Sequence, residues 1–307
     1  MKRNYLILLF LLVVVVAGGI FFKNLENGSA PRHGEPERAG YSRIVSLSPS
    51  TTEILFALDL SDRVVGVTRF CDYYTPEAQG KTKVGGYLDP NYEAIAVLEP
   101  DLVIVLPEYE KVISYLSELG LNYLIVHNRT VSEIIGTINV IGATCGAEKR
   151  SRELVAQIQA RKNEIAQATR HLARPGVLVS IGRTMGSGTI REVYLAGKGT
   201  FYDELIALAG GRNVYEGEKI SYPLLSAEGL LHLNPEIILE LVPDLDSREL
   251  TEETVLRDWE SVPQIDAVRN KRVYVLSGDY VAIPGPRIIL LLEDMARVIH
   301  PEIEWEF

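Results

Sequence analysis

The stretch Ser48-Pro49-Ser50-Thr51-Thr52-Glu53 follows the apolar run Ile44 to Leu47 and opens a helical segment. Hydroxyl groups beside the unpaired N–H groups of a helix start can hold a polar or anionic ligand group. The same residues also make an ordinary N-cap with Glu53 inside the first turn, and the two readings are compatible. A second set is aromatic. Thr68-Arg69-Phe70-Cys71-Asp72-Tyr73-Tyr74 and Gly85-Gly86-Tyr87-Leu88 lie in the first half of the chain; Met185, Ser221-Tyr222-Pro223 and Gly278-Asp279-Tyr280 lie in the second. All are expected in loops at the carboxyl ends of strands, where open α/β sheets bind ligands. Loop tyrosines from both halves would wall a cleft that is apolar with polar tips, suited to a large, flat, partly polar ligand. The competing reading is that individual tyrosines only cover the bases of their loops.

Catalytic patterns are weak or missing. Gly197-Lys198-Gly199-Thr200 resembles the end of a phosphate loop, but Glu192 stands where that pattern has its first Gly, and the Lys is not followed directly by Ser or Thr. Gly182-Arg183-Thr184-Met185-Gly186-Ser187-Gly188 follows a strand-like run, Val177 to Ile181, without the G-x-G-x-x-G order. There is no G-x-S-x-G elbow and no H-E-x-x-H, and the five histidines are scattered at 33, 127, 171, 232 and 300. Asn128-Arg129-Thr130 is a formal glycosylation sequon of a kind that is usually accidental. Cys71 and Cys145 lack metal-ligand spacing; they either pair or remain two small apolar residues, and sequence alone leaves both open. Binding without chemistry is the expectation, with neither a catalytic set nor a bound cofactor.

The elements that must position these loops repeat. Glu53-Ile-Leu-Phe-Ala-Leu…Arg63-Val-Val matches Glu204-Leu-Ile-Ala-Leu…Arg212-Asn-Val, about 150 positions later. Tyr92 to Ile104 matches Ala227 to Leu239, displaced by 135, and Asn122 to Val126 matches Arg272 to Leu276. Short apolar runs at Ile44–Leu47, Val64–Val67, Leu102–Leu106 and Tyr123–Val126 alternate with helical stretches. That alternation predicts parallel α/β sheets covered on both faces, in two similar lobes. Between them, residues 147–174 contain neither Gly nor Pro, and Leu154, Ile158, Ile165 and Leu172 recur at helical spacing. The spacing predicts one connecting helix about 42 Å long. The expected body is therefore an N-terminal α/β lobe over 43–146, a connecting helix over 147–174 and a C-terminal α/β lobe over 175–307. The fold class is α/β: two Rossmann-like lobes with parallel sheets joined by one long rigid helix, with a ligand cleft between them.

Tyr5 to Phe22 is an uncharged run of eighteen residues behind Met1-Lys2-Arg3, the pattern of an export signal or signal anchor. Residues 1–22 are read as one or the other, and residues 23–42, rich in Gly, Pro, Ser and charge, as a flexible tether. The whole chain of 307 residues carries a net charge of −10. The first 40 residues hold five Lys/Arg and three Asp/Glu, so the remainder carries 26 against 38, a net −12. An acidic body of this kind disfavours nucleic acid and anionic lipid surfaces, so membrane contact is expected through the N-terminal segment only. The expected location is the periplasm or the outer face of the cytoplasmic membrane.

Three segments carry a family resemblance: RIVSLSPSTTEILFALDLSDRVVGVTRFCDYYTPEA, VGGYLDPNYEAIAVLEPDLVI and GPRIILLLEDMARVIHP. Across about residues 43–301 the chain resembles the helical-backbone class of ABC-transporter substrate-binding proteins, which capture cobalamin, ferric siderophores or haem. The first and last segments are most similar to the cobalamin-binding members. The resemblance implies ligand contacts at Ser48, Pro49, Ser50, Phe70, Tyr87, Tyr222, Asp279 and Tyr280. Tyr87 and Tyr222 stand where cobalamin-binding members have tryptophans, and Ile283 lies near a position that is charged in them. One surface carboxylate per lobe, Glu110 and Glu228, would dock on a permease dimer with its ATPase. Glu108 competes with Glu110, and both carboxylates also read as solvated helix-start glutamates. The partners implied are that permease and one large small-molecule ligand, a corrinoid or another metal chelate or tetrapyrrole, bound by a monomer. A membrane-anchored sensor without a transporter has the same body. An exported enzyme would need a convergent catalytic set that the sequence does not supply.

Overall fold

The computed structural model describes residues 40–307, except 72–77, 87–88 and 248–249. The export segment and most of the tether lie outside the described residues, as does Tyr87. Among the described residues no helix is long and apolar enough to cross a membrane.

The central strands of the first sheet, Ile44–Ser46, Val64–Val67 and Leu102–Val105, are short and mostly apolar because helices cover both faces. β1 (Ile44–Ser46), β2 (Val64–Val67), β3 (Thr82–Lys83), β4 (Leu102–Val105) and β5 (Tyr123–Ile125) form one parallel sheet in the order β3-β2-β1-β4-β5. Between them run α1 (Pro49–Ala57), α2 (Tyr92–Val97) and α3 (Glu110–Glu118), with α4 (Val131–Thr144) after β5. The chain leaves β1 toward one side and β4 toward the other, so their carboxyl ends flank a crevice. α1 starts at that crevice: Ser48 is its N-cap, accepting from Thr51 N at 3.2 Å, and Pro49 occupies the first turn. α4 starts beside it with a complete capping box, Thr130 paired with Glu133.

α5 (Glu148–Thr169) connects this lobe to the next. Its 22 residues span about 33 Å, so it is shorter than the helix expected over 147–174. Thr169 marks the end. Its hydroxyl turns back to the Ile165 carbonyl at 3.1 Å and to the Leu208 carbonyl at 3.3 Å, and the chain then bends toward Pro175. Ile158 and Ile165 bury against the body, Arg150 donates to the Ala57 carbonyl, and Arg161 pairs with Glu293 at 2.9 Å. The helix is therefore gripped by elements from both lobes.

The second sheet repeats the first and then departs from it. β6 (Gly176–Arg183), β7 (Glu192–Leu195), α6 (Phe201–Leu208), β8 (Arg212–Asn213), β9 (Leu224–Ser226), α7 (Ala227–Leu233), β10 (Ile237–Val242), α8 (Glu252–Trp259), α9 (Asp266–Arg269), β11 (Val273–Ser277) and α10 (Ile288–Ile299) follow in order. β8, β6, β10 and β11 lie parallel, the counterparts of β2, β1, β4 and β5. β7 and β9 are antiparallel, so this sheet is mixed where the sequence predicted an all-parallel one. The cause is strand length. β6 has eight residues and β8 only two, so the outer half of β6 needs another partner for its backbone groups. β7 supplies it at Ser180–Arg183, and β7 then pairs with β9.

Candidate ligand-binding cleft

The carboxyl ends of the two sheets face a cavity of about 590 Å³. One wall comes from the first lobe: Ser48, Pro49 and Ser50 at the start of α1, Leu106 and Glu108 after β4, and Asn128 and Arg129 after β5. The other comes from the second lobe: Ile181 on β6, Phe201 and Tyr202 at the start of α6, Ser221 and Tyr222, and Ala282–Pro284. The volume is that of a small-molecule site, and the lining combines an apolar aromatic side with a hydroxyl-rich one.

The hydroxyl side is a connected network. Ser48 Oγ lies 3.0 Å from Ser50 Oγ and 2.8 Å from Thr51 Oγ1, and the Asn128 amide donates to Ser50 Oγ at 2.9 Å. Beneath them the Thr52 hydroxyl donates to Ser46 Oγ at 2.8 Å and to the Ser48 carbonyl at 2.9 Å. Ser48 therefore caps α1 and lines the cavity at once. On the aromatic side the Tyr202 hydroxyl is already engaged within the second lobe, donating to the Val281 carbonyl at 2.8 Å. Tyr222 is 41% exposed at the mouth.

Behind the second wall stands an ion triad. Arg287 grips Asp279 with two bonds of 2.8 Å and reaches Glu53 Oε2, on the opposite lobe, at 2.9 Å. The Arg287 backbone N–H donates to the other Glu53 oxygen at 3.0 Å. Burial pushes the Glu53 carboxyl above its ordinary value, against the pull of Arg287. Gly285 lets the backbone pass close to this carboxylate: a Cβ there would stand 2.9 Å from Glu53 Oε1 and push the side chain aside. Asp279 is thus engaged by Arg287 and is absent from the cavity wall. Tyr280 is also off the wall: its hydroxyl donates to Asp294 on α10 at 2.5 Å, and burial with that acceptor raises its pKa. Phe70 is 40% exposed outside the lining, with the Arg69 guanidinium 5.2 Å from its ring. Glu110 and Glu228 are exposed in the first turns of α3 and α7, whereas Glu108 faces the cavity.

Both loops that resembled phosphate sites are satisfied from within. Asp258 accepts from Gly186 N at 2.8 Å and Gly188 N at 2.6 Å, and is itself held by Arg183 at 2.6 Å. Arg183 also donates to the fully buried Glu240 at 2.8 Å, and Trp259 donates to the same carboxylate at 2.7 Å. In the second loop the Thr200 hydroxyl donates to the Gly197 carbonyl and caps α6, while Lys198 pairs with Asp203 at 3.3 Å. Cys71 and Cys145 are buried free thiols. Among the described residues no cluster of three His, Cys, Asp or Glu side chains could hold a metal ion.

Several lining residues were not anticipated as contacts. Leu106 ends the apolar run Leu102–Leu106, Asn128 and Arg129 belong to the sequon, and Phe201 and Tyr202 sit directly behind the Gly-Lys-Gly-Thr stretch, so none of these residues stands out as a contact in the sequence. Phe201 and Tyr202 reach the wall because α6 starts at the cavity that the start of α1 also lines.

Residues 44–280 match the model of the family described as periplasmic binding protein. The chain belongs to that family. It is 29% identical over 268 residues to an uncharacterised ABC transporter substrate-binding lipoprotein of Bacillus subtilis, covering 85% of this chain and 80% of the relative. It is 24% identical over 259 residues to a vitamin B12-binding protein of Vibrio cholerae, covering 84% of this chain and 88% of the relative. Among solved structures, a periplasmic haem-binding protein of Roseiflexus sp. RS-1 superposes with a TM-score of 0.71 at 25% identity, over 85% of this chain and 99% of that one.

Proposed function

We propose that this family member is the substrate-binding component of an ABC importer, exported and held at the outer face of the cytoplasmic membrane, that captures a corrinoid. The observation that carries the reading is the cavity of about 590 Å³ between the two lobes, hydroxyl-lined by Ser48 and Ser50 and aromatic at Phe201, Tyr202 and Tyr222. A flat, partly polar ligand would lay its face on the rings and its amide or acid edges on the hydroxyls, Asn128 and Arg129. Ferric siderophores and haem fit the same description, and the haem-binding structural neighbour favours keeping haem as the second reading. Binding requires no bond to be made or broken. The connecting helix, gripped by both lobes, supports a modest closure on the ligand. Tethering to the membrane would keep the loaded protein at high local concentration near its permease.

Delivery would use one exposed carboxylate on each lobe, Glu110 and Glu228, docking on a permease dimer whose ATPase supplies the energy. The double variant Glu110→Ala plus Glu228→Ala is expected to bind ligand as the parent does and to abolish uptake in cells. Unchanged uptake would overturn the docking assignment. A sensor without a transporter would show no uptake for either protein.

A further inference from the structure

Glu53 and Glu204 occupy equivalent positions in the internal repeat, in Glu53-Ile-Leu-Phe-Ala-Leu on α1 and Glu204-Leu-Ile-Ala-Leu on α6. Each reaches out of its own lobe. Glu53 accepts from the Arg287 backbone N–H at 3.0 Å, directly before the first residue of α10, and from the Arg287 guanidinium at 2.9 Å. Glu204 accepts from the backbone N–H of Val131, the first residue of α4, at 2.7 Å. α4 and α10 are themselves counterparts, each following the last strand of its sheet's parallel set, β5 and β11. The duplication has therefore produced two reciprocal clamps: a carboxylate from each lobe seats on a helix start of the other.

Both clamps grow from the cavity walls. Glu53 is on the helix whose first residues, Ser48–Ser50, line one wall, and Glu204 follows Phe201 and Tyr202, which line the other. Arg287 follows Ala282–Pro284 and also ties down Asp279 before them. A helix start offers unpaired N–H groups and a positive dipole end, so an acceptor from the opposite lobe completes what the chain itself leaves open. Separating the lobes by more than a fraction of a hydrogen-bond length would strip both at once.

We propose that Glu53 and Glu204 are a matched pair of positioning residues that fix the spacing of the two cleft walls before any ligand arrives. Spin labels on exposed Glu118→Cys in the first lobe and Glu218→Cys in the second, with the buried native cysteines in place, report that spacing by pulsed electron paramagnetic resonance. The labelled protein without ligand is expected to give one narrow distance distribution. Glu53→Ala and Glu204→Ala are each expected to broaden it, and the double variant to broaden it further. Glu133→Ala is the control, because it removes a helix-capping carboxylate of α4 that stays within its own lobe. It should lower stability and leave the distance unchanged. If Glu53→Ala does not fold, Glu204→Ala alone decides, since it removes the acceptor of the Val131 N–H at the lobe boundary. Unchanged distributions in both alanine variants, or equal broadening in Glu133→Ala, would overturn the proposal. No ligand enters the measurement, so its failure is separate from a failure of the corrinoid reading.

Discussion

The Asn128 amide donates to the Ser50 hydroxyl at 2.9 Å, tying the loop after β5 to the first turn of α1 on one wall of the cleft. The bond orients Ser50, which is buried to 3% exposure and would otherwise turn its hydroxyl among Ser48 and Thr51. Asn128→Ala is expected to weaken ligand binding about five-fold, the value of roughly one net hydrogen bond, with little change in thermal stability. Isothermal titration of the variant beside the parent checks it.

Arg287 and Glu53 give a pH dependence with a definite sign. A carboxyl raised above its ordinary value of 4.5 binds its proton more tightly folded than unfolded, so ionising it costs folding free energy. That cost is absent below pH 4.5, grows as pH rises through the folded pKa, and is constant above it. Arg287 opposes the burial cost in the parent. Arg287→Met removes the offset and leaves a buried carboxylate without its cation, with an expected loss of about 2 kcal/mol at pH 7. The deficit should shrink toward pH 4, where Glu53 is neutral in the variant. Urea unfolding of both proteins at pH 4 and pH 7 measures the difference, and a deficit independent of pH would contradict this account.

The cysteines make a simpler forecast. Burial pushes the Cys145 thiol up to about 11, so at pH 8 it carries almost no thiolate, and Cys71 is equally enclosed. A disulfide reagent should find no reactive thiol in the native protein and two per chain in guanidinium chloride without reductant. Detection of none after unfolding would mean that the two are linked.

Much of this arrangement can be read from residue order. The alternation of apolar runs and helical stretches, the duplication and the Ser48 cap are local patterns, and local patterns survive translation into structure. Ser48, Pro49, Ser50 and Tyr222 carried their own signal, hydroxyls at a helix start and an aromatic in a loop. What escaped was set by partners distant in sequence. Asp279 has Arg287 eight positions on, but nothing there says that the opposite lobe's Glu53, 234 positions from Arg287, will share the same guanidinium. The mixed second sheet has the same origin: Glu192–Leu195 alternates exposed and buried residues, but its pairing depends on β8 being too short to complete β6. Asn128 looked like a glycosylation accident because its partner, Ser50, is 78 positions away.

We propose that the cleft between Ser48–Ser50 and Tyr222 binds a corrinoid. Titration of the purified protein with cyanocobalamin, haemin and a ferric hydroxamate, followed by visible absorbance and calorimetry, tests it most directly. The account predicts one cyanocobalamin per chain with a Kd below about 10 μM, roughly −7 kcal/mol, and a loss of about ten-fold in Tyr222→Ala as the ring contact goes. Saturable binding of haemin or the ferric chelate alone would move the ligand within the class. No binding of any of the three at that concentration, or cyanocobalamin binding indifferent to Tyr222, would contradict the account.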